Sequence, residues 1–119
     1  MKKVNVLGTV YEIIIKKYDE DKEFEKKSIV GYCDDLSKQI VIADAKTFPN
    51  WEEETETNIE ACNKETLRHE IIHAFFHESG LKDCSNKWNG AWAKNEEMID
   101  WFAIQSPKII KAFEEAEAI

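Results

Sequence analysis

Apolar residues in the first third of the chain recur with a period near two, and from Thr57 onward they recur at the three-and-four spacing of helices. Val4 to Ile15 is β-branched and aromatic with partial alternation, which predicts a strand. Two shorter runs, Ile29 to Cys33 and Gln39 to Ala43, predict two more. Between them Asp34-Asp35-Leu36-Ser37-Lys38 has the composition of a hairpin turn. These segments predict a small antiparallel sheet of three strands. The tract Tyr18 to Lys27 that interrupts them is densely charged and reads as a mobile, solvated connection.

Phe48-Pro49-Asn50-Trp51 closes the β region, and Glu52 to Thr57 is an acidic, poorly periodic linker. Thr57-x-x-Glu60 has the form of a capping box, so a helix is expected from there to Ser79, with Gly80 as its left-handed stop. Ile59, Cys62, Thr66, Leu67, Ile71, Ala74 and Phe75 form its apolar face. Leu81 to Asn89 reads as loop and Trp92 to Gln105 as a second helix. Ser106-Pro107 then ends that helix and starts a short terminal one reaching about Ala118, with Ile109, Ile110 and Phe113 as its docking stripe. The expected fold class is α+β: a three-stranded antiparallel sheet packed against a helix pair, plus a short C-terminal helix. A chain of 119 residues forms one domain, residues 1–119, and buries about two-thirds of its unfolded surface without staples.

The candidate chemistry lies inside the first long helix, at His69-Glu70-Ile71-Ile72-His73. Positions i and i+4 share a helix face, so the two imidazoles can close on one cation while Glu70 stands beside it to handle a proton. A tetrahedral catalytic zinc needs a third protein ligand and keeps its fourth position for water. Glu96, in Asn95-Glu96-Glu97-Met98-Ile99-Asp100, can supply it, and a one-residue shift of the helix would make Glu97 the ligand instead. Asp100, one turn further on, is placed to accept the N–H of a ligating imidazole and fix its orientation. The expectation is one zinc ion per chain. His77 continues the stripe, but at 1.5 Å rise per residue it lies roughly 12 Å along the axis from His69 and cannot share a tetrahedral centre with both histidines.

In these two elements the chain resembles the gluzincins, zinc peptidases in which HExxH is followed on a second helix by ExxxD. Asn95-Glu96-x-x-x-Asp100-x-Phe102 looks like the corresponding run of the thermolysin-like branch. In size, and in a β region running straight into two helices, the chain is similar to minimal zincin domains of phages and prophages, and more distantly to ImmA/IrrE-type peptidases. The resemblance implies a zinc-dependent peptidase with His69, His73 and Glu96 as ligands, Glu70 as general base and Asp100 as orienting carboxylate. It also implies an edge strand that holds an extended peptide, for which Gln39 to Ala43 is the best candidate. Metzincins do not fit, because Phe76 and Ser79 stand where their Gly and third His would be.

Composition narrows the partners. A net charge of −8 repels phosphates, which argues against nucleic acid; a protein or peptide substrate is what the resemblance implies. Three cysteines, Cys33, Cys62 and Cys84, without CxxC spacing, suit free thiols in a reducing compartment. With no apolar run long enough for a signal or a membrane span, a cytoplasmic protein is expected. Trp88 and Trp92, with Trp101, read as anchors of the loop between the two helices. Tyr11, Tyr32 and His77 are unranked candidates for stabilising an oxyanion. The competing functional class is a zincin-fold binding module whose metal site is structural or vestigial.

Overall fold

In the computed structural model, which describes residues 2–84, 92 and 95–119, the run from Val4 to Ile15 folds back on itself. Strands β1 (Lys2–Val6) and β2 (Thr9–Lys16) pair antiparallel across the two-residue turn Leu7-Gly8. Both turn residues have positive φ, 52° and 94°, as the twist of a tight hairpin requires. Asn5 steadies the turn by accepting the Gly8 N–H at 2.8 Å. Strands β3 (Gly31–Asp34) and β4 (Gln39–Ala43) form the expected second hairpin. There the Asp34 carboxylate accepts the N–H groups of Leu36 and Ser37 at 3.0 and 3.1 Å.

The hairpins join through a parallel pairing of β2 with β4, so the sheet has four strands in the order β1-β2-β4-β3 and is mixed. The α+β class holds, but the expected three-stranded antiparallel sheet does not. A parallel pair needs a crossover; here it consists of the charged tract followed by β3, and the tract is a compact unit. Tyr18–Glu20 is a 3₁₀ turn and Lys22–Lys26 a short helix, α1. Phe24 is fully buried against Val41 and Ala43, with Tyr18, Tyr32 and Phe48 around it. Asp21 caps α1 by accepting the Glu23 N–H at 3.0 Å, and also takes the Tyr32 hydroxyl at 2.6 Å and the Lys16 ammonium at 3.1 Å. The Tyr32 bond, followed by the Glu23 N–H, holds the Asp21 carboxyl below its ordinary value. The tract is therefore packed rather than mobile.

Helix α2 spans Glu56–Glu78 and is capped by Thr55, whose hydroxyl accepts the Asn58 N–H at 3.2 Å; Thr57 lies within its first turn. Gly80, at φ 82°, stops it. Leu67, Ile71, Ala74 and Phe75 pack on Val4, Val6, Tyr11, Ile13, Ile40 and Ile42. Ile59, Cys62 and Thr66 are only partly covered. A four-residue helix, α3 (Leu81–Cys84), opens the expected loop. The two expected C-terminal helices are one, α4 (Glu96–Glu115), with Pro107 inside it. An interior proline costs about 3 kcal/mol. Burial of Ile109, Ala112 and Ala116 beyond it, together with the Asn95 cap on Glu97 and Met98, offsets that cost. Among the described residues no helix is long and apolar enough to cross a membrane.

The C-terminal end of α2 is fixed to the sheet by Glu78, which accepts the Tyr11 hydroxyl and the Lys38 ammonium, each at 2.8 Å. Burial acts to raise this carboxyl, but the bonds from Lys38, Thr9 and Tyr11 outweigh it and hold the group down at about 2. A carboxyl lowered in the folded state adds stability above its unfolded value, and that stability is lost as pH falls through the folded value. We expect Glu78→Gln to cost about 2 kcal/mol at pH 7, the weight of a charged hydrogen bond. The gap between variant and parent should close between pH 4 and 2, as urea unfolding across that range will show.

Candidate metal centre

His69, Glu70 and His73 come together because they lie on one helix, with Ile71 and Phe75 turned into the core and the histidines facing β3. The Nε2 atoms of the two histidines are 3.1 Å apart, and their rings meet edge to face at a centroid distance of 4.8 Å. One ligating atom from each of His69, Glu70 and His73 can be chosen so that all lie within 4.8 Å. Zinc–nitrogen bonds of about 2.0–2.1 Å at a tetrahedral angle place two nitrogens roughly 3.3 Å apart. The separation found therefore fits a shared zinc ion. Burial, and then the neighbouring His69, push the His73 imidazole below its ordinary value. His73 is thus held neutral, with a lone pair to donate.

Glu70 is only 5% exposed. Burial alone pushes it up to about 7. A carboxyl poised near neutrality beside the histidine pair can both take and return a proton at physiological pH. Opposite it stands Gly31 of β3. Two cavities, of about 420 and 380 Å³, open on either side and share Ile29, Gly31, His69 and Glu70 in their walls. The first is walled by Val30, Cys62 and Thr66; the second by Lys27, Tyr32, Cys33, Asp35, His73 and Lys82. A roomier hollow of about 570 Å³ between the β1–β2 turn and α4 holds no such cluster, and chemistry rather than volume decides between them.

Glu96, Glu97 and Asp100 occupy the first turns of α4, all three exposed, and none belongs to the histidine cluster. The structure thus brings together two of the expected ligands and the expected base, and leaves the expected third ligand and its support outside that cluster. His77 lies outside the cluster, as the helical rise requires, with Nδ1 3.4 Å from Asp35 and Nε2 3.6 Å from Glu78. The hydroxyls of Tyr11 and Tyr32 are committed to Glu78 and Asp21. Trp101 packs edge-on against Phe76 and Phe102 and donates to the Ser79 hydroxyl at 3.3 Å, which is an anchoring role. Trp92 is not an anchor, being 77% exposed. Trp88 and the rest of the expected loop from residue 85 to 89 lie outside the described residues.

The expected edge strand, Gln39–Ala43, is interior, because β2 pairs with its other side. The edge bordering the site is β3. Sequence reasoning also passed over Gly31 and Asp35. For Gly31 a signal existed, since a lone glycine inside an apolar strand run marks a close backbone approach. Cys33 and Cys62 are free thiols, and burial pushes Cys33 up to about 12, so it is not a reactive thiolate. No family model matches the chain, and no curated protein or solved structure matches it.

Proposed function

We propose that the chain is a zinc-dependent peptidase of the minimal gluzincin kind, acting on a protein or peptide of the cytoplasm, with a phage or host protein as the natural substrate. The observation that carries this reading is the pair of imidazole nitrogens 3.1 Å apart beside a buried carboxyl. His69 and His73 would hold the ion. Glu96 would be the third ligand, or Glu97 after a one-residue shift, with Asp100 orienting an imidazole. For this the first turn of α4 must approach the histidines from its exposed position. When bound, zinc supplies the positive charge that acidifies a water molecule and polarises a peptide carbonyl. Glu70 would accept the proton of the attacking water and return it to the departing amine. The outer edge of β3 offers main-chain donors and acceptors to an extended peptide, and the two cavities take the side chains on either side of the reacting bond.

A second reading, a protein-binding module of the same fold with a vestigial site, draws support from the exposed position of Glu96, Glu97 and Asp100. A cleavage screen over denatured proteins and peptide pools, run with zinc and with chelator, separates the two. The peptidase reading predicts cleavage that zinc restores and chelator abolishes. Zinc binding without cleavage across the screen would favour the module.

A further inference from the structure

Gly31 has a backbone that any residue can adopt, because its φ lies outside the left-handed region. The need for glycine there is spatial. A Cβ at this position would stand 3.0 Å from the Thr66 methyl, 3.1 Å from Glu70 Oε2 and 3.2 Å from the Val41 carbonyl oxygen. All three are tighter than ordinary van der Waals contact. The Val41 oxygen belongs to the neighbouring strand and cannot yield without breaking the β3–β4 ladder. The Thr66 methyl sits on α2, one turn before Glu70, and its hydroxyl is tied to the Cys62 carbonyl at 3.0 Å. The carboxylate, at the end of three rotatable bonds, is the group most able to move.

We infer that Gly31 is a positioning residue for Glu70: the space of its missing side chain keeps the carboxylate beside the histidine pair. Gly31 and Glu70 both stand in the walls of the two cavities. A methyl group at position 31 would therefore misplace the base without touching either imidazole. The inference rests on the peptidase reading for its consequence in catalysis, though not for its geometry.

The test compares zinc-loaded wild type, Gly31→Ala, Thr66→Ser and the double variant. Thr66→Ser keeps the hydroxyl bond to Cys62 and removes only the methyl. In a crystal structure of Gly31→Ala the Glu70 carboxylate should be turned away from residue 31, with His69 and His73 in place and zinc content equal to wild type. Hydrolysis should fall roughly tenfold to a hundredfold in kcat, the cost of about an ångström of misplacement, with KM little changed. In the double variant the melting temperature lost by Gly31→Ala should recover while kcat stays low. If Gly31→Ala alone does not fold, the double variant carries the same comparison. An unmoved Glu70 would overturn the inference, as would a kcat that recovers together with the melting temperature. Should the wild type cleave nothing, the peptidase reading fails, yet the position of Glu70 in the crystal still decides this point.

Discussion

On the peptidase reading, Glu70→Gln should lower peptide hydrolysis by about 10²- to 10⁴-fold, the weight of a general base, and at the same time make the metal-free protein more stable at alkaline pH. The two effects have one origin. Glu70 is buried, so ionising it costs free energy in the folded state, which is why its carboxyl sits at about 7. A carboxyl raised in the folded state favours folding fully below its unfolded value near 4 and loses that contribution as pH rises through the folded value. Glutamine keeps the shape and carries no charge. In chelator at pH 8 the variant should therefore exceed wild type by about 2–3 kcal/mol, and at pH 4 the two should coincide. Thermal melts at both pH values, with zinc content and hydrolysis of the same samples, check the set. A variant that hydrolyses undiminished refutes the role of Glu70, and one less stable at pH 8 refutes the account of its burial.

Loss of metal should have the next largest effect. An ion that binds only the folded chain adds about 4 kcal/mol when free zinc is a thousand times its dissociation constant. His73 provides one of the two nitrogens that lie 3.1 Å apart, so His73→Ala should abolish the zinc-dependent rise in melting temperature. Wild type in chelator and His73→Ala in zinc should melt alike, as calorimetry with added zinc will show. A normal zinc response in the variant would remove His73 from the ligand set.

How much of this was legible in the sequence follows the range of the interactions. The hairpin at Asp34 to Lys38, the strand Gln39–Ala43 and the stop at Gly80 are set by residues a few positions apart, and they appear where the sequence places them. The histidine pair is of the same kind, because spacing on one helix brings His69 to His73 whatever the rest of the fold does. The Leu7-Gly8 turn was masked by apolar residues on both sides, and the parallel pairing of β2 with β4 is a long-range choice without a local signature. Phe24 was hidden among charges, although a single aromatic ring inside a charged run is what a small satellite core needs. Ser106-Pro107 imitated a helix boundary, and burial of Ile109 and Ala112 beyond it prevailed. Glu96 and Asp100 were assigned from spacing on a second helix, and where that helix sits relative to the first is a matter of tertiary packing. Gly31 acquires meaning only once α2 lies across it.

The central claim is that His69 and His73 bind a zinc ion, and metal analysis of chelator-free protein tests it most directly. After zinc supplementation and desalting, wild type should hold close to one zinc per chain, and X-ray absorption at the zinc edge should show two imidazole nitrogens that are lost in His69→Ala and His73→Ala. Wild type without a transition metal, or zinc retained undiminished by both variants, would contradict the account.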